Sequence, residues 1–97
     1  MKINLKQQLK TLDGKAVKDA NYELGKLLAH ALASSNKSNS IKLHDMALKL
    51  YNSETIDIDA TDKELLELIV DTTDQLTVLV KSQILKAIKD QDQKQKK

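Results

Sequence analysis

The chain has no cysteine, proline, phenylalanine, tryptophan or arginine, and its only glycines are Gly14 and Gly25. Each absence removes a class of protein. Without cysteine there is no disulfide framework, thiolate metal centre or thiol nucleophile, a composition that fits a reducing compartment. Without arginine the usual bidentate reader of guanine and phosphate is missing. Tyr22 and Tyr51 are the only aromatics, too few for a platform on which bases stack. The core must therefore come from Leu, Ile, Val and Ala, a palette suited to interlocking helices. Two isolated glycines cannot form a phosphate-cradling loop. No apolar run approaches the roughly 20 residues needed to span a bilayer, and the first residues lack the apolar stretch of a signal peptide. The expectation is an intracellular, cytoplasmic protein with no membrane association.

What is present is a chain of 97 residues, 40% of them apolar, the size of one domain with one core. The net charge of +2 is unevenly spread: residues 1–20 carry +3, residues 21–52 carry +2, residues 53–88 carry −5 and residues 89–97 carry +2. A basic front half is thus followed by an acidic third quarter and a basic tail.

Hydrophobic spacing predicts a mainly α fold of about four short amphipathic helices, with a small N-terminal hairpin or two to three short strands. Met1 to Leu5 alternates with period two, as does Thr55 to Ile58, so the second segment is a candidate strand partner of the Ile3–Leu5 segment or of the hairpin. Between Leu5 and Lys18 two readings compete. Asp13-Gly14 marks a hairpin with a type I′ turn, whereas Leu5, Leu9 and Leu12 allow a helix that ends at Gly14. Asn21 caps an expected helix over Tyr22 to Ser34, buried through Leu24, Leu27, Leu28, Ala31 and Leu32. Gly25 lies beside that stripe, where a missing side chain lets a neighbouring backbone approach. A second helix is expected from Ile41 to Asn52, capped by Ser40 or Ser38, with Leu43, Met46, Ala47, Leu50 and Tyr51 on its stripe. A third begins at the capping box Thr61-Asp62-Lys63-Glu64 and buries Leu65, Leu66, Ile69 and Val70. Thr72-Thr73-Asp74 breaks it. A fourth, from Gln75 to Lys89, buries Leu76, Val80, Ile84, Ala87 and Ile88. Val78, Leu79 and Leu85 widen its apolar face, which calls for partners on more than one side. That makes it either the central helix or an oligomer interface. The domain is expected over 1–88, and the Gln, Asp and Lys of 89–97 read as a disordered polar tail.

Sites for chemistry are scarce. His30 and His44 lack the i, i+4 partner of a helical zinc site, and no Gly-x-Ser-x-Gly elbow is present. Asp57 to Asp62 opens like a calcium loop but puts Asp62 where glycine is required and Leu68 where a bidentate Glu is required. No catalytic residue, metal site or cofactor is expected, and the chain is read as a non-enzyme. Three surfaces are candidates for binding. Val78, Leu79 and Leu85 form a candidate protein interface, with a partner protein or a second copy. Lys2, Lys6, Lys10, Lys15 and Lys18 form an alternative nucleic-acid contact. The acidic band from Glu54 to Asp74 is either a docking surface for a basic partner or a solvated helix face with its caps.

The opening Met1-Lys2-Ile3-Asn4-Leu5, then Leu12-Asp13-Gly14-Lys15-Ala16-Val17 and Leu24-Gly25-Lys26-Leu27-Leu28 with Leu32, resembles small proteins of bacteriophage and prophage genomes. Ala47-Leu48-Lys49-Leu50-Tyr51 and Ile56-Asp57-Ile58 extend the likeness over residues 1–88. Glu23 departs from it, standing where such sequences often have Thr. These are turn and core residues, so the resemblance implies a phage origin and no activity. The expected function is that of a small accessory protein that binds another protein, in virion assembly, replication or contact with a host factor. The alternative is a nucleic-acid-binding regulator.

Overall fold

A computed structural model describes residues 1–34 and 40–95. In chain order the elements are β1 (Lys2–Ile3), a 3-10 turn (Ala20–Tyr22), α1 (Leu24–Ala33), α2 (Ser40–Tyr51), β2 (Ile56–Asp57), α3 (Ala60–Thr72) and α4 (Val78–Gln95). The two alternating segments pair as expected: β1 and β2 are antiparallel, with Lys2 opposite Asp57 and Ile3 opposite Ile56. Period two then turns Ile3, Leu5, Ile56 and Ile58 inward, and all four are buried. The Met1 amino group completes the edge by donating to the Ile58 carbonyl at 2.7 Å.

Between β1 and α1 the chain forms a hairpin-like excursion rather than a helix. Lys10 bridges Ala16, and Gln8 bridges Glu23. Its tip differs from a type I′ turn, because only Gly14 has positive φ, at 86°. The Gly14 amide donates to Thr11 O, and the Thr11 amide to Lys15 O, both at 2.9 Å. This is a three-residue loop with a left-handed glycine at its end.

Helix α1 begins two residues later than expected. The Asn21 amide donates instead to the Asp19 carboxylate at 2.9 Å, and Glu23 occupies the N-cap. The expected close approach at Gly25 is present. Its amide donates to Leu5 O at 3.0 Å, and a Cβ there would lie 2.9 Å from Leu50 O and 3.3 Å from Leu5 O. Three backbones thus converge on one glycine. Beside it α2 ends in a Schellman-type closure: Ser53 N donates to Leu50 O and Glu54 N to Lys49 O. Ser53 takes the left-handed position, φ 62°. Its hydroxyl donates at 2.7 Å to the buried Glu23 carboxylate, which fastens the end of α2 to the start of α1. The expected cap Ser38 lies outside the described residues.

Helix α3 starts earlier than its expected box. Asp59 is the N-cap, accepting from Asp62 N at 2.7 Å, while Asp62 accepts from Asp59 N at 3.2 Å. The pair Thr61 and Glu64 is displaced because Asp62 is buried and meets Lys42 of α2, a tertiary contact that fixes the frame. Helix α4 starts later, at Val78. Its first turn is capped by Thr77, whose hydroxyl accepts from Val80 N at 3.4 Å.

Helix α4 packs against α1, α3 and β1. Its broad apolar surface is used inside the fold, with Val80, Ile84, Ala87 and Ile88 buried. Residues 89–95 of the expected polar tail are helical instead, since α4 runs on to Gln95. Gln and Lys are good helix formers and each added residue gains a backbone bond, and polar tertiary contacts hold the extension. Gln91 accepts from Asn4 N and donates to Asn4 O, both at 2.8 Å. Two turns earlier Gln83 does the same to Lys10, accepting at 2.9 Å and donating at 2.7 Å. Each glutamine amide stands in for a neighbouring strand, and together they clip residues 4–10 along the helix. Asp92 adds an ion pair with Lys63 of α3 at 3.3 Å.

Candidate protein-binding surface

At about 100° per residue, a 12-residue helix such as α2 can carry separate stripes on opposite sides. The inner stripe is Leu43, Met46, Ala47 and Leu50, all buried against the core. The outer one is Ile41, His44 and Leu48, with Tyr51 at its end. These four fall within an arc of about 80°. Ile41 is 87% exposed, Leu48 50% and Tyr51 45%, and His44 is exposed as well. Tyr51 was expected on the inner stripe. It lies about 100° round from Leu50 and turns instead toward α1.

Helix α1 supplies the neighbours of that ring. His30 meets Tyr51 edge-on, with centroids 5.9 Å apart at 86°. The Lys26 ammonium sits 5.5 Å from the Tyr51 centroid, within cation–π range. Lys26 and His30 are one helical turn apart, so α1 presents both on the side facing Tyr51. Lys49 pairs with Asp45 at 3.4 Å on α2 itself, and Lys42 pairs with Asp62. Lys26 has no carboxylate partner among the described residues. The surface is therefore apolar along its stripe and charged at its rim, where Lys26, Lys42 and Lys49 outnumber Asp45. That distribution resembles the core and rim of protein interfaces.

The Asp62 carboxyl is held below the usual carboxylate range, first by the hydrogen bond from Lys42, against the cost of burial, and further by the Asp59 amide. Lys42 is raised correspondingly, chiefly by its bond to Asp62. Lys63 is also raised, first by Asp92 and then, with burial opposing, by Glu67. These shifts describe ion pairs that fasten α3 to α2 and to α4.

The surfaces expected from sequence are distributed differently. Leu79 and Leu85 lie half-buried against the core, and only Val78, 82% exposed at the first position of α4, stands clear. Lys2, Lys6, Lys10, Lys15 and Lys18 are exposed along the N-terminal excursion and are not gathered on one helix face. Beside them lies an open cleft of about 440 Å³ lined in part by Gln7, Lys10, Gln83, Lys86 and Asp90. Two of its glutamines, Gln83 and Gln91, already hold backbone. Neither histidine lines this cleft or the two hollows near Lys63. Among the described residues, no group of three His, Asp or Glu side chains could hold a metal ion, and no helix is long and apolar enough to cross a membrane.

Sequence reasoning missed the outer α2 stripe. Its signal was nevertheless present: Ile41 and Leu48, seven residues apart, fall off the Leu43–Met46–Ala47–Leu50 period and define a second one. No protein-family model, curated protein or solved structure matches the chain.

Proposed function

We propose that this protein is a small accessory protein of bacteriophage or prophage origin, working in the bacterial cytoplasm by binding another protein and performing no chemistry itself. The observation that carries the binding reading is the outward stripe of α2. A helix whose inner face already fills the core gains nothing within the subunit from a second apolar stripe. Single exposed apolar residues are ordinary on any surface. Ile41 and Leu48 aligned on one helix, with Tyr51 set between a histidine and a lysine, match a rigid aromatic anchor inside a polar rim. The likeness of residues 1–88 to small phage proteins supports the origin.

A photo-reactive amino acid at position 48 tests the reading in a bacterial cell. The expected result is a discrete adduct of one protein, lost when Ile41→Asp is added. The same group at the exposed Ser82 of α4 is expected to give none. No adduct at position 48, or equal adducts at both positions, would refute the assignment.

A further inference from the structure

We infer that the surface seated on the outer face of α2 is the outer face of α3 from a second copy of this chain. This rests on the reading of α2 as a docking surface and names its occupant. Helix α3 turns Asp62, Leu66, Ile69 and Val70 inward. That leaves Glu64, Leu68 and Asp71 at i, i+4 and i+7 on the opposite side, all exposed. Leu68 is 48% exposed, a single apolar knob flanked by acids one helical turn away on either side. Neither Glu64 nor Asp71 has an ion-pair partner among the described residues. The two faces differ in charge: on α2 the Ile41–Leu48 stripe is bordered by Lys26, Lys42 and Lys49 with Asp45 among them, and on α3 an apolar knob is edged by carboxylates.

The dimensions agree. Helices of 12 and 13 residues are both about 18–20 Å long. Ile41, His44, Asp45 and Leu48 stand at i, i+3, i+4 and i+7, the four corners of the hole that receives a knob from a facing helix. With Leu68 in that hole and the helices antiparallel, Glu64 falls toward Lys26 and Lys49. Asp71 then falls toward Lys42 and the amino end of α2, where the helix dipole favours a carboxylate. The contact joins two different faces, so it is heterologous: it closes into a ring or propagates.

Sedimentation velocity and light scattering on the full chain, across a concentration series, test this. The wild type should associate, and raising salt from about 0.05 to about 0.5 M should weaken the association because its rim is charged. Ile41→Asp and Leu68→Asp, each at an exposed position and each checked for an unchanged circular dichroism spectrum, should weaken it about tenfold or more. Mixed together, those two variants should form a pair that stops at two chains, since each retains the face the other has lost. Glu64→Lys should weaken association several-fold, and adding Lys26→Glu to the same chain should recover it. A wild type that stays monomeric to about 1 mM, or a Leu68→Asp chain that associates like the wild type, overturns the inference. If position 48 meanwhile cross-links to a protein of another mass, the docking surface stands and only its occupant is wrong. If it cross-links to nothing, both fall.

Discussion

Gly25 shows how much of this fold depends on one missing methyl group. In an open helix, alanine is favoured over glycine by about 1 kcal/mol. Here the added Cβ would press on two backbone carbonyls, Leu50 O at 2.9 Å and Leu5 O at 3.3 Å. Neither can swing aside as a flexible side chain would, so α2 or the N-terminal segment must move. Overpacking of this kind costs about 1–3 kcal/mol, which outweighs the gain in propensity. Gly25→Ala is therefore expected to lower stability by up to about 2 kcal/mol in urea unfolding, with the slope unchanged. Gly14→Ala is the informative contrast: nothing lies within 4 Å, but φ is 86°, so its cost is backbone strain, about 1–2 kcal/mol. The sequence pointed to Gly25 because glycine beside a buried stripe needs a reason. It could not say which backbones approach, since Leu5 and Leu50 are far away along the chain.

At the scale of the element, period was legible and frame was not. The alternation at Ile3 and Leu5, and at Ile56 and Ile58, marked both strands and their inward sides, because a two-residue repeat has only one inward face, but it left the hairpin open as a second partner for β2. The start of α3 was ambiguous, since Asp59-x-x-Asp62 and Thr61-x-x-Glu64 are both capping patterns two residues apart. Lys42, from another helix, decides between them. The outer stripe of α2 was overlooked because one satisfied period hid the other. A pH dependence follows from the Asp59–Asp62–Lys42 arrangement. The Asp62 carboxyl ionises below its ordinary value when folded. Its contribution is thus complete above about pH 4, the unfolded carboxylate value, and is lost as the pH falls through the lower folded value. Asp62→Ala is expected to cost about 1 kcal/mol near neutrality through the lost cap and its bonds. That difference should shrink toward zero in urea unfolding series taken from pH 6 down to pH 2. A difference that stays constant across the series would mean that Asp62 contributes only as a spacer.

At the scale of the whole molecule, the ends of the described chain hold each other. A composition of Gln, Asp and Lys after Ile88 reads as a tail, because no apolar residue there can join a core. Composition does not reveal that a glutamine amide has the same donor and acceptor pair as a peptide group and can act as a strand neighbour. Gln83 and Gln91 use that equivalence to hold Lys10 and Asn4. Gln91→Leu is expected to leave the Asn4 amide and carbonyl without protein partners, at a cost of about 1–2 kcal/mol, and to speed hydrogen exchange at Asn4 by about tenfold or more. Removing residues 89–97 should be worse, since it also takes Asp92 from Lys63. An unchanged urea midpoint after that deletion would show that the clip adds nothing to stability.

The clips also set an order of events during synthesis. Asn4 and Gln91 are 87 residues apart, so at translation speeds of about 5–20 residues per second Asn4 is made roughly 4–17 s before its holder. Until then the N-terminal backbone has only β2 and the backbone of residues 16–25 to pair with, and the nascent chain must stay soluble with the side that α4 covers still open. These two clips close only once α4 has been made.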